Sequence, residues 1–195
     1  MNLTDIRRKV AHRITNPMVV VLGKSGITPN ALTSINLAVN IAAACVIATG
    51  RFLLGGVLML IAGLFDLLDG ALARFTSKTT KFGAVLDSTV DRVSEAATLC
   101  GLLFWYSSGG GRLEIALILA VLVGSFLVSY TRARAEAVGW QCQVGLFTRA
   151  ERVIVLAIGL LVNQVFVALL VLAVFVFVTV VQRLIYLWRQ ERSER

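Results

Sequence analysis

Charge and cysteine are scarce in this chain, and each scarcity excludes a class of protein. Only 15% of the 195 residues are charged against 57% that are hydrophobic, and the mean hydropathy is +0.83, so a soluble domain of this length is excluded. The three cysteines, Cys45, Cys100 and Cys142, are odd in number and widely spaced, two of them in apolar runs, and imply neither a disulfide framework nor a metal site. The single histidine, His12, sits among basic residues near the N-terminus, where a solvated or headgroup-facing side chain is expected rather than a ligand. No cleavable signal peptide is expected, because the first long apolar stretch begins well into the chain. Acidic residues are also few, leaving a net charge of +8; the basic residues fall at span ends and not on one soluble face, which speaks against nucleic acid as a partner.

What is present is apolar sequence in membrane-spanning lengths. Residues 1 to 16 set Leu3, Ile6, Val10 and Ile14 near one helical face against Arg7, Arg8, Lys9, His12 and Arg13, the pattern of an amphipathic helix lying in the membrane interface. Asn16-Pro17 offers a cap and a first-turn proline for a short helix through Leu22, and Gly23 to Gly26 breaks it. Thr28-Pro29-Asn30 repeats that signal and opens a first span, Ala31 to Thr49, in which Asn36 and Asn40 share one face and should look into the bundle. Further spans are predicted over Phe52–Phe75, with Gly55, Gly56 and Gly63 permitting close helix approach, and over Phe82–Ser107 and Leu113–Glu136. The apolar run from Val153 to Val181 is about 43 Å as one helix against a hydrocarbon core of ~30 Å, so it is split at Asn163-Gln164 into spans 147–162 and 165–188.

The expected fold is therefore an all-α integral membrane protein: six transmembrane helices preceded by an N-terminal amphipathic interfacial helix. It forms a single domain over 1–195, with a juxtamembrane segment over 1–26, a six-helix bundle over 27–188 and a tail over 189–195. With six spans, every lysine and arginine except Arg51 and Arg112 falls on one side. That asymmetry predicts a multi-pass protein of the cell membrane with both termini cytoplasmic.

Four carboxylates stand where the second and third spans meet. Asp66 and Asp69 are spaced i, i+3 and Asp87 and Asp91 i, i+4, so each pair shares a helix face. If Phe75 to Phe82 is the turn of a hairpin, all four converge on one small volume at the cytoplasmic edge. Crowded anions there require protons or cations, and oxygen-only ligands favour hard divalent ions, Mg²⁺ above all with Mn²⁺ possible, of the kind shared with substrate phosphates. Gly70 and Gly83 lack side chains that would keep a nucleotide from the backbone, and Arg74 offers a guanidinium fork to phosphate. An alternative reading, a small cation transporter, predicts carboxylates near the bilayer midplane and no nucleotide pocket.

The stretch Asp66-x2-Asp69-Gly70-x2-Ala73-Arg74-x8-Gly83-x3-Asp87-x3-Asp91 resembles the signature of the CDP-alcohol phosphatidyltransferases at every specified position. The resemblance implies a CDP-linked lipid such as CDP-diacylglycerol as donor, attacked at its β-phosphorus by a hydroxyl while CMP leaves. It implies two divalent ions held by Asp66, Asp69, Asp87 and Asp91, with Asp91 also the general base. Gly70, Ala73, Arg74, Thr80 and Gly83 would line the CDP pocket, closed by Pro29, Asn30 and Thr33 from the first span. It also implies a homodimer among membrane lipids.

Arg132, Arg134, Arg149, Arg152 and Arg183 form a second constellation, predicted at the cytoplasmic ends of the last three spans. Positive-inside anchoring would account for arginines at span ends, but Arg183 lies within the last span and calls for an anionic partner. Ser129-Tyr-Thr-Arg-Ala-Arg-Ala-Glu136, Thr148-Arg-Ala-Glu-Arg152 and Val181-Gln-Arg183 resemble segments of actinobacterial phosphatidylinositol phosphate synthases. That likeness implies inositol 1-phosphate, or another phosphorylated polyol, bound by Ser129, Arg132, Arg134, Arg152 and Arg183. A phosphatidylglycerophosphate synthase, whose acceptor glycerol 3-phosphate also carries a phosphate, is the alternative within the family.

Overall fold

The computed structural model describes residues 28–76, 80–109 and 111–194. The expected amphipathic helix of residues 1–16, the short helix through Leu22 and His12 lie outside them. The described residues contain six helices and no strand: α1 Pro29–Ala48, α2 Phe52–Phe75, α3 Lys81–Gly109, α4 Arg112–Ala137, α5 Arg149–Leu161 and α6 Val165–Glu194.

Local chemistry accounts for where the helices start and stop. Thr28 is extended and its hydroxyl accepts from Ala31 N at 3.2 Å, while Pro29 takes the first helical position, the cap expected from Thr28-Pro29-Asn30. The long C-terminal run is broken at Asn163, whose φ of 55° is a left-handed conformation that asparagine tolerates. There Gln164 N donates to Gly159 O at 2.7 Å and Asn163 N to Leu160 O at 3.3 Å, which closes α5 with a Schellman-type turn. The polar pair Asn163-Gln164 thus marks the break foreseen in the sequence. The last helix runs past residue 188 to Glu194, because no glycine or proline interrupts it and the Arg192 guanidinium lies 4.0 Å from the Trp188 ring centre, one turn away.

Four helices, α1, α2, α4 and α6, are long and apolar enough to cross a bilayer. Of the other two expected spans, α3 carries Lys81, Asp87, Asp91, Arg92 and Glu95 in its first half, and α5 has 13 residues, about 20 Å of helix. Helix α1 packs on α2 and α3, α4 on α3 and α6, and α5 on α2 and α6. Ile47, Leu99, Leu102, Ile118, Leu160 and Leu169 meet in the centre. Polar side chains are also buried there, among them Asn36, Asn40, Thr98, Arg152 and Arg183, while Leu53, Phe104, Leu119, Val123, Phe126 and Phe166 are exposed. An apolar exterior around a partly polar interior is the arrangement that lipid, not water, stabilises, and this is a membrane protein.

Asn36 and Asn40 do turn inward, as their spacing predicts: Asn40 Nδ2 donates to Asn36 Oδ1 at 2.8 Å. Of the glycines expected to permit close approach, Gly55 and Gly56 do so, whereas Gly63 has nothing within 4 Å of its missing Cβ and lines a cavity instead. Among the described glycines, the closest approach to a neighbouring backbone is between α1 and α3. A Cβ on Gly101 would lie 2.4 Å from the Ala44 carbonyl oxygen, a backbone atom that cannot swing aside. Gly101→Ala should therefore destabilise the protein by about 1–3 kcal/mol, the usual range for overpacking a filled interior. Thermal unfolding in detergent checks this, and an unchanged midpoint would mean that the two helices have room to separate.

Candidate active site

Helices α2 and α3 deliver the aspartates to one place. Oxygens of Asp66, Asp69 and Asp87 lie within 4.8 Å of one another. Asp69 is buried, and its Oδ2 accepts from the Thr33 hydroxyl of α1 at 3.0 Å. Asp66 Oδ1 accepts from Asn36 Nδ2 at 3.5 Å, so the buried Asn40–Asn36 pair backs this carboxylate. Asp91, one turn beyond Asp87 on α3, joins the group through a cation: Arg149 Nη1 stands 2.7 Å from Asp66 Oδ1 and 2.7 Å from Asp91 Oδ1. The latter oxygen is buried and has no hydrogen-bond partner among the described residues, because its contact with Arg149 is poorly aligned.

The arginines arrive from the other side. Thr148 and Glu151 form a capping box at the start of α5, with Thr148 N donating to Glu151 Oε2 at 2.8 Å, and this sets Arg149 and Arg152 one turn apart on the helix face toward α3. Arg152 is buried and forks onto Glu95, Nε to Oε1 at 2.6 Å and Nη2 to Oε2 at 2.8 Å, with Nη1 donating to Phe147 O at 3.3 Å. Arg183 is buried in α6 and donates through Nε to Val144 O at 2.9 Å and through Nη1 to Val128 O. Those are neutral carbonyls, so its charge has no carboxylate partner among its described hydrogen bonds and ion pairs. A cavity of about 1190 Å³ joins the two walls, lined by Asp66, Asp87 and Asp91 on one side and by Ser129, Arg132, Arg149, Arg152 and Arg183 on the other.

Arg132 reaches this cavity while pairing with Glu136 at 2.8 Å. Arg134 is exposed and does not line it, since α4 is a regular helix through Ala137 and two residues turn a side chain to a different face. The residues expected to form a CDP pocket gather beside the aspartates and outside this cavity. Pro29, Asn30 and Thr33 form the start of α1, Gly70, Ala73 and Arg74 the end of α2, and Thr80 and Gly83 the start of α3. Thr80 Oγ1 accepts from Gly83 N at 2.9 Å, and a Cβ on Gly83 would sit 2.9 Å from that hydroxyl and 3.4 Å from Asn30 Oδ1, which ties α1 to α3. On the two helices that carry the aspartates, the apolar side chains Leu67, Phe75, Phe82 and Val85 are each at least half exposed.

Two features outside the expected site support it: Glu95 follows Asp91 at i, i+4 on α3, a spacing that turns it into the same cavity, and the Thr148-x-x-Glu151 capping box is legible in the residues.

Those two walls define a class: a helical membrane protein equipped with oxygen donors for cations on one side and guanidinium groups for phosphate on the other. Residues 26–181 match the CDP-alcohol phosphatidyltransferase family, and the chain belongs to it. It is thus an enzyme, a transferase of phospholipid synthesis. A phosphatidylinositol phosphate synthase of Mycobacteroides abscessus is 37% identical over 188 residues, 92% of this chain and 86% of that one. An archaetidylinositol phosphate synthase of Pyrococcus horikoshii is 36% identical over 182 residues, covering 93% and 94%. The crystal structure of Mycobacterium tuberculosis phosphatidylinositol phosphate synthase with CDP-DAG bound superposes with a TM-score of 0.83 at 36% identity, covering 90% of this chain and 94% of that one. The same protein in complex with manganese and citrate gives 0.83 at 36% identity over 89% and 88%.

Proposed function

We propose that this chain transfers the phosphatidyl group of CDP-diacylglycerol to the hydroxyl of inositol 1-phosphate, releasing CMP and phosphatidylinositol phosphate. The observation that carries the reading is the single cavity whose walls hold Asp66, Asp87 and Asp91 opposite Ser129, Arg152 and Arg183. The names of the relatives support it, since two that differ in the lipid they use share an inositol phosphate product.

The donor set fits hard divalent cations: Asp66, Asp69 and Asp87 offer oxygens alone, close together, with Thr33 and Asn36 fixing two of the carboxylates and a buried Asp91 oxygen still unsatisfied. Mg²⁺ or Mn²⁺, as two ions on Asp66, Asp69, Asp87 and Asp91, would supply the charge that neutralises the diphosphate and stabilises the departing CMP. Asp91 takes the proton of the acceptor hydroxyl. The oxygen so freed bonds to the β-phosphorus, and the bond from that phosphorus to the bridging oxygen breaks with its electron pair leaving on CMP. Arg183, which pairs with no carboxylate among the described residues, and Ser129 and Arg132 at the same cavity hold the acceptor phosphate, while Arg152 stays on Glu95 and presents its remaining N–H groups. Most of the catalysis is positioning and charge. Pro29, Asn30, Gly70, Ala73, Arg74, Thr80 and Gly83 receive the cytidine end of the donor. In the membrane, α3 and α5 complete six spans with both termini and the cavity on the cytoplasmic side, and the enzyme is a homodimer.

The test is CMP release from CDP-diacylglycerol by the purified protein with Mg²⁺, offering inositol 1-phosphate, glycerol 3-phosphate, free inositol and serine separately. Stimulation by inositol 1-phosphate, lost on chelation and restored by Mg²⁺, is the expected result. Stimulation by glycerol 3-phosphate alone would overturn the acceptor, and no release with any acceptor would overturn the reaction.

A further inference from the structure

Arg149 stands inside the carboxylate cluster, and among the described residues its only hydrogen-bond and ion-pair partners are Asp66 and Asp91. Its Nη1 lies 2.7 Å from both Asp66 and Asp91, while its Nε is buried and finds no acceptor among the described residues. Beside it a cavity of about 20 Å³, bordered by Asn40, Ser94 and Thr98, has room for one water. Arg152, one turn along α5, differs: both oxygens of Glu95 and a main-chain carbonyl fix it. Among the described residues, the anions that Arg149 touches are carboxylates assigned above to divalent cations. A guanidinium and a dication cannot share one carboxylate oxygen without strong repulsion. Arg149 also lines the large cavity, so a displaced side chain has somewhere to go.

We propose that Arg149 is an exchangeable counter-ion. It holds Asp66 and Asp91 together while the carboxylates carry no divalent cation, yields them when the cation binds, and then offers its guanidinium to a phosphate in the cavity. The inference deepens the function proposed above and rests on it for the identity of that phosphate. Crowded carboxylates repel one another, and a tethered cation offsets that repulsion until the metal replaces it. A guanidinium suits the second task as well, because its fork matches phosphate oxygens.

The experiment uses the full chain in detergent with Mn²⁺ alone as the probe, free Mn²⁺ being read by electron paramagnetic resonance and stability by thermal unfolding. Arg149→Gln, which removes the competing charge, should bind Mn²⁺ about tenfold more tightly than the wild type. Without metal it should melt lower than the wild type, and with saturating Mn²⁺ the difference should vanish. Arg149→Lys, which keeps the charge, should return Mn²⁺ affinity towards the wild-type value. Arg149→Met supplies a second neutral variant, with the same expected sign, should the glutamine variant not fold. Unchanged or weaker Mn²⁺ binding by the neutral variants, or an equal loss of stability with and without Mn²⁺, would assign Arg149 to static packing and overturn the exchange. In turnover assays, a raised KM for inositol 1-phosphate assigns the released guanidinium to the acceptor phosphate and a raised KM for CDP-diacylglycerol to the diphosphate; no change in either overturns its role toward substrate. Mn²⁺ exchange without CMP release by the wild type would uphold the counter-ion and sink the proposed reaction instead.

Discussion

Asp91→Asn should lower CMP release by roughly 10²- to 10⁴-fold, the range that a positioned general base contributes, while CDP-diacylglycerol still binds. The substitution keeps the shape of the side chain and removes its capacity to take a proton. Asp91 stands outside the group formed by Asp66, Asp69 and Asp87, whose oxygens meet without it, so much of the cation-binding centre survives. The Thr80–Gly83 hydrogen bond and the approach of Asn30 to Gly83, expected at the nucleotide, do not involve it either. Steady-state CMP release and equilibrium binding of the donor, measured on the same preparation, separate the two effects. Wild-type turnover in the asparagine variant would remove Asp91 as the base, and loss of donor binding along with turnover would make it primarily a ligand.

Glu95→Ala should be among the most destabilising single changes in the chain. The pair it forms with Arg152 is almost fully enclosed, with side-chain exposures of 11% for Glu95 and 4% for Arg152. Removing one member leaves a guanidinium in the interior with no counter-charge, which costs about 3–5 kcal/mol. The double variant Glu95→Ala with Arg152→Met removes the stranded charge too and should recover most of that loss, so a cycle of the two single variants and the double variant isolates the pair. If the double variant unfolds as readily as Glu95→Ala, lost packing and not charge explains the effect. Function should respond as well: with Glu95 gone, Arg152 loses the fork that aims it, and the KM for inositol 1-phosphate should rise more than that for the lipid donor.

How far such features can be read from sequence depends on how far apart the partners are along the chain. The aspartate pairs were legible because i, i+3 and i, i+4 spacings fix a face by helix geometry alone. The start of α1 was legible because Thr28 and Pro29 act on their own neighbours, and the break before α6 because Asn163 and Gln164 are polar in an apolar run. The bonds from Arg149 to Asp66 and from Arg152 to Glu95 span 83 and 57 residues, and spacing within a helix does not say which other helix will face it. The basic constellation was visible for that reason only as a set, and the structure divides it. Arg152 and Arg183 are held inside, Arg149 lies among the carboxylates, and Arg134 is turned away by the regularity of α4. Gly63 teaches the same lesson: a small residue on an apolar face can mean contact or void, and only the opposing surface decides.

The exposed Leu67 and Val85 that line the cavity with the aspartates, and the exposed Phe75 and Phe82 farther along the same two helices, bear on how the reaction must be measured. Apolar side chains at the mouth of a charged site let the acyl chains of the donor remain in bilayer while its headgroup enters. The donor then arrives by lateral diffusion within a surface, and what the enzyme senses is the mole fraction of CDP-lipid in that surface, not its amount per volume of buffer. Diluting the donor with inert phospholipid at constant bulk content should slow turnover, whereas diluting the whole suspension should not.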